Sequence, residues 1–159
     1  MTDHPRTTQQ FIKDLEISPA EKLRVCLLGG FRIQRGEKSL AAGQIHLRKA
    51  RDLLKLLCLA TDHRLHREQL LDLLWPECTP EAAAHNLSQT LYTLRPKLAE
   101  LDPSARLLFE DERLVFNADG GISTDVEEFI QIARAALNRS NPSDCQAAMV
   151  AYTGDLLPE

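Results

Sequence analysis

Several things are scarce in this sequence, and each scarcity removes a class of function. No apolar run approaches the ~20 residues needed to cross a bilayer. The opening stretch, MTDHPRTTQQ, has no apolar core of the kind a secretion signal carries. A cytoplasmic protein without a membrane partner is the expectation. The four cysteines, Cys26, Cys58, Cys78 and Cys145, are spread along the chain with no C-x-x-C pair. They read as free, buried thiols in a reducing compartment. His63 and His66 are three apart, but no cysteine or carboxylate stands near them at ligand spacing. Solvated loop histidines are favoured over a metal site. There is no G-x-x-x-x-G-K-[ST] phosphate loop and no G-x-S-x-G nucleophile turn. No cofactor, no metal and no enzymatic activity are expected.

A basic excess is also missing: the net charge is −4. That argues at first against a nucleic-acid partner, but the distribution softens the argument. Residues 1–106 carry 16 Lys/Arg against 13 Asp/Glu, or +3, whereas residues 107–159 carry 3 against 10, or −7. A mildly basic first part is joined to an acidic second part, and a DNA-binding surface needs local rather than global charge.

What is present is a clear order of elements. Residues 1–21 form a polar tail, with a short helix expected near 9–16. LRVCLLGGFRIQRGE gives two strands, 23–28 and 31–35, around Gly29-Gly30. GEKS reads as a turn, and LAAGQIHL carries no clear pattern. From Arg48 the period becomes helical: Ala50, Leu53, Leu54, Leu57 and Cys58 share a face, with Arg48, Lys49, Arg51 and Lys55 elsewhere. After the break TDHRLH, a short helix carries Leu70, Leu71 and Leu74, and Trp75-Pro76 ends it. The third helix, 79–98, opens on Thr79 as N-cap and Pro80 at the first helical position. Ala83, Ala84, Leu87, Leu91, Leu94 and Leu98 line one side, and Pro96 on the other side should bend or shorten it. RLLFEDERLVFN then reads as a β-hairpin with its tip at Asp111-Glu112. GGIS marks a boundary. Thr124 and Glu127 form a capping box for a helix bearing Phe129, Ile130, Ala133 and Leu137 on one face. A last helix, capped by Asn141-Pro142, stops at Gly154.

Three helices followed by a hairpin is a winged helix-turn-helix layout. The third helix has the two faces that layout needs, one apolar and one uncharged and hydrogen-bonding. His85, Ser88, Gln89 and Tyr92 lie outward and are the candidates for contact with base edges. Arg48, Lys49, Arg67, Thr93, Arg95, Lys97 and, from the hairpin, Arg113 are the candidates for phosphate. Leu87, Leu91, Leu94 and Trp75 belong to the core. An uncharged outer face equally fits a protein–protein interface, so a module docking a sensor domain or a polymerase subunit is the alternative. The acidic stretches FEDE and DVEE read as solvated surface, or as a face that repels DNA and is open to a protein.

The ordered set of motifs resembles a known family. LRKARDLLKLLCLATDHRLHREQLLDLLWPECTPEAAAHNLSQTLYTLRPKL is similar to the DNA-binding domain of the OmpR/PhoB type. In particular it resembles the form in the Streptomyces antibiotic regulatory protein family. Arg51, Leu53 and Leu54 match its first-helix pattern; Leu73, Leu74, Trp75 and Pro76 match its LLW-P segment. Leu91, Leu94, Arg95 and Leu98 match its L-x-x-LR-x-x-L ending. AMVAYTGDLLPE resembles the start of the bacterial transcriptional activation domain of the same family. The resemblance, over roughly residues 22–159, implies a transcriptional regulator that binds double-stranded promoter DNA, often as a homodimer on direct repeats. It implies the third helix in the major groove, the wing at the minor groove, contact with RNA polymerase, and a place in the bacterial nucleoid. The fold class expected is α+β: a winged helix-turn-helix domain over 22–122 (three-helix core, N-terminal β-strands and C-terminal hairpin wing). A partial, all-α, tetratricopeptide-like module follows over 123–159.

Overall fold

The computed structural model describes residues 22–140 and 142–158. The helix expected near 9–16 and the capping residue Asn141 lie outside the described residues. Among those described, seven strands and five α-helices give a mixed α+β arrangement. The strands are β1 (Leu23–Cys26), β2 (Arg32–Arg35), β3 (Lys38–Ala41), β4 (Arg64–His66), β5 (Arg106–Glu110), β6 (Arg113–Asn117) and β7 (Ile122–Thr124). The helices are α1 (Arg48–Leu59), α2 (Arg67–Leu74), α3 (Pro80–Leu101), α4 (Asp125–Arg139) and α5 (Pro142–Ala151).

Two sheets bracket the first three helices. One has the order β3-β2-β1-β7, the other β4-β6-β5. β1 alternates buried Leu23 and Val25 with exposed Arg24, so one face of the first sheet joins the core. Into that core α1 sends Ala50, Leu53, Leu54, Leu57 and Cys58, α2 sends Leu70 and Leu74, and α3 sends Leu87, Leu91, Leu94 and Leu98. Trp75 packs half-buried at its margin. Lys55, expected on the outer side of α1, is buried instead, its ammonium 5.8 Å from the centre of the Phe31 ring.

Three strands were hidden from pattern reading. β3 takes the last two residues of GEKS and the first two of LAAGQIHL, β4 lies in TDHRLH, and β7 runs from GGIS into Thr124. Each is three or four residues long and exists through its partners: β3 on β2, β4 on β6, and β7 parallel to β1. α3 does not stop at Leu98 but runs through Pro96 to Leu101. Buried Leu94, Leu98 and Leu101 anchor both sides of the proline, and packing there outweighs the lost N–H bond. His66, with no hydroxyl, nonetheless caps α2: its Nδ1 accepts the Glu68 amide at 3.3 Å.

β7 carries the chain from the hairpin back to the first sheet and directly into α4. Thr124 and Glu127 close the expected capping box, with Oγ1 accepting the Glu127 amide at 3.1 Å. The next residue, Asp125, is buried, and its carboxylate accepts the amides of Leu27 and Leu28 at 2.8 and 3.0 Å. A second fastening follows α5. The Gly29 amide donates to Asp155 O at 2.8 Å, the Leu157 amide to Leu27 O at 2.9 Å, and the Thr153 hydroxyl to Leu28 O at 3.2 Å. The two backbones cross at Gly29 (φ +76°) and Gly154 (φ +156°); a Cβ on Gly154 would lie 2.7 Å from the Gly29 Cα. The apolar face expected on α4 is only partly inward. Phe129 and Ala133 are half-buried, whereas Ile130 is 39% and Leu137 78% exposed. The fully buried apolar position on α4 is Ala136. Val126, half-buried, packs against the first core.

Candidate nucleic-acid interface

The outward side of α3 begins where its cap leaves off. Thr79 Oγ1 accepts the Ala82 amide at 3.3 Å, and Pro80 and Glu81 open the first turn. From there His85, Ser88, Gln89 and Tyr92 follow at steps of three, one and three and form one exposed strip. Tyr92 is 78% exposed, far more than a tyrosine that belongs to a core. The hydroxyls on this face are oriented by the helix itself. Ser88 Oγ donates to Ala84 O at 3.1 Å and Thr93 Oγ1 to Gln89 O at 3.0 Å. Both can still accept a hydrogen bond from outside, while donating to a phosphate requires giving up the intrahelical bond. Thr90 does the same to Asn86 O at 2.8 Å, but it is buried. It belongs to the packed stripe between Leu87 and Leu94.

The hairpin lies beside this strip. Its tip has Asp111 at φ +46° and Glu112 at φ +62°, the two-residue turn that suits the right-handed twist of a hairpin. The tip is tied to α2 by the Arg67 amide, which donates to Glu112 O at 2.8 Å. Between α3 and the hairpin lies a groove of ≈ 620 Å³ lined by Arg67, Ala84, Leu87, Ser88, Phe109, Asp111 and Glu112. The fold thus brings together two expected contact residues, Ser88 and Arg67, that stand far apart in the chain. It also puts Phe109 and the two acidic tip residues, read from sequence as part of the acidic stretch FEDE and not as groove contacts, on the same groove. The available signals were the acidic stretch and the tip position, two residues between matched strands.

The other expected cations are distributed around this unit. Arg48 and Lys49 are exposed on the first turn of α1. That turn has no acidic residue, and its N-cap, Leu47, offers no side-chain acceptor. Cations there sit against the positive end of the helix dipole, an unfavourable arrangement unless an anion approaches. Arg48 reaches Asp52 only at 3.9 Å, with its side chain 85% exposed. Arg113 is exposed at the start of β6, and Lys97 is half-exposed near the end of α3. Arg95 differs from all of these: its Nε and Nη2 both donate to the carbonyl of Leu107 on β5, at 3.2 and 3.0 Å.

Burial pushes the Cys58 thiol far above its usual range, and burial together with the Asp125 carboxylate raises that of Cys26. Both are held as thiols, the opposite of an activated nucleophile. All four cysteines are free, but Cys78 and Cys145 are exposed rather than buried. His63 lies 4.0 Å from Glu127 and His66 is taken up as a cap, so the two do not converge. Among the described residues no cluster of three or more His, Cys, Asp or Glu side chains could hold a metal ion. No helix among them is long and apolar enough to cross a membrane.

No family model matches this chain, and no curated protein matches it. Among solved structures, it is similar to EmbR of Mycobacterium tuberculosis, determined in complex with a low-affinity phosphopeptide. The TM-score is 0.68 at 19% sequence identity, over 86% of this chain and 38% of that one. The likeness establishes a shared fold across nearly all of the described residues. This chain spans well under half of that protein's length.

Proposed function

We propose that residues 22–122 are a winged helix-turn-helix domain that binds double-stranded DNA and serves transcriptional regulation. The single observation that carries this reading is the exposed strip His85, Ser88, Gln89 and Tyr92 on a helix whose other side is fully packed. A helix presented in this way is shaped to enter a major groove, with α1 and α2 behind it and the β5–β6 hairpin beside it as the wing. Gln89 offers the paired donor and acceptor that read adenine, and Ser88, its donor already engaged, accepts from an exocyclic amine. Arg48, Lys49, Arg67, Thr93, Lys97 and Arg113 serve phosphates along the rim. The reading extends to a SARP-type activator in the cytoplasm, bound to promoter DNA as a homodimer on direct repeats and touching RNA polymerase. The helix pair after residue 122 is then the start of a tetratricopeptide-like activation module.

The test is selection from a random-sequence duplex pool followed by affinity measurement across salt. Binding through ~6 phosphate contacts falls by ~10³ between 50 and 200 mM salt. Gln89→Ala relaxes the selected sequence, whereas Lys49→Ala weakens all sequences alike and reduces the salt slope by about one. An unchanged selected sequence and unchanged affinity in Gln89→Ala would remove α3 as the reading helix. A second reading is favoured by one observation. The hairpin carries Glu110, Asp111 and Glu112 with Leu108 and Phe109 each 44% exposed, an acidic and apolar surface suited to a protein. If that surface is the interface, a protein partner is retained and duplex DNA is not.

A further inference from the structure

We propose that Arg95 is a positioning residue, not a phosphate ligand: its guanidinium clamps the hairpin to α3 and sets the width of the groove between them. The inference rests on the DNA-binding reading above for its functional consequence, but its geometry stands apart from it.

β5 is the outer strand of its sheet. The two-residue turn makes Glu110 and Arg113 the closing hydrogen-bonded pair, so Leu108 opposite Val115 is also hydrogen-bonded. The intervening residues Leu107 and Phe109 therefore turn their amides and carbonyls away from β6, toward the open edge. Leu107 itself is buried, 1% exposed, so its carbonyl needs a partner that water supplies poorly. Arg95 provides it with two N–H groups on one oxygen. The fork spans the weak point of α3, because Arg95 precedes Pro96 and a residue before proline is disfavoured in a helix. It also blocks a free strand edge against pairing with another chain. The lining of the groove includes neither Arg95 nor Leu107: the fork ties β5 to α3 beyond the groove, while the Arg67 amide on Glu112 ties the hairpin tip beside it. A lysine cannot reproduce the fork, although it keeps the charge. Charge and clamp are therefore separable.

The experiment compares Arg95→Lys and Arg95→Gln with wild type in the full chain. Hydrogen exchange of the hairpin amides is measured without DNA, and affinity for the selected duplex is measured across salt. The clamp predicts hairpin amides exchanging about tenfold faster in both variants. It also predicts that folded Arg95→Lys loses threefold to tenfold in affinity, roughly, at an unchanged salt slope. A role in stability alone does not produce that affinity loss in a folded protein. Unchanged hairpin exchange in both variants overturns the proposal, whatever happens to DNA. So does an Arg95→Lys that binds like wild type while Arg95→Gln lowers the slope by about one, the signature of a phosphate contact. If wild type itself fails to bind duplex DNA while the variant hairpins loosen, the clamp is supported and the DNA reading is what falls.

Discussion

The three-helix half and the terminal helix pair use similar helices but are held by different forces. α1, α2 and α3 pour fully buried leucines into one core, and the two sheets close around it. α4 and α5 share the single fully buried apolar side chain of Ala136, while Leu137, Met149 and Val150 are 78%, 77% and 75% exposed. Besides the half-buried Val126 and the Arg24–Glu128 ion pair at 3.0 Å, the helix pair is fastened by hydrogen bonds at its ends: Asp125 at the entrance, and the Gly29–Gly154 crossing at the exit. A packed core resists deformation everywhere at once. A helix pair held at its ends depends on a few named bonds, and single changes there have concentrated effects.

The difference can be tested in order of expected size. Leu94→Ala, at a fully buried position on α3, should cost about 3 kcal/mol in denaturant unfolding, from lost burial and the cavity left behind. A loss under about 1 kcal/mol would mean that the core closes around the gap and is less firmly packed than described. Asp125→Ala should cost about 2 kcal/mol, because it strands the buried amides of Leu27 and Leu28. It should also raise hydrogen exchange in α4 more than in α1, and equal effects on the two helices would erase the contrast. At the hairpin tip, Asp111→Asn combined with Glu112→Gly should stabilise the fold by about 1 kcal/mol, by relieving two L-residues held at positive φ. The same double change removes two negative charges from the groove and should tighten binding of duplex DNA at low salt. Leu137→Ala should shift stability by no more than about 0.5 kcal/mol. A larger loss would show that Leu137 is covered, contrary to its exposure.

Much of the architecture could be read from residue spacing. The apolar periods of α1, α2 and α3 were long and regular, and most of the residues they selected, from Ala50 to Leu98, are in the core; Leu71 and Ala84 are only half-buried, Ala84 on the groove. Thr79, Thr124 and Glu127 announced helix starts because capping is a local contact between residues three apart. The hairpin tip was legible for the same reason. Failures came where partners are distant. β3, β4 and β7 are too short to carry a pattern, buried Lys55 lies over Phe31 from the loop before β2, and α3 survives Pro96 through leucines packed in the core. At the candidate site, the strip on α3 could be read from helical geometry. That Phe109, Asp111 and Glu112 stand on the groove beside it, and that the exposed Arg95 reaches the Leu107 carbonyl, could not.

The division has one physical cause. Backbone propensity, capping and one-sided hydrophobicity act over a few residues, so sequence alone determined where the helices and the hairpin lie and which side of α3 is polar. Hydrogen bonds such as Asp125 to Leu27, Arg67 to Glu112 and Arg95 to Leu107 join residues 98, 45 and 12 positions apart. Only the tertiary structure decided those, because each depends on how separately formed elements settle against a shared core.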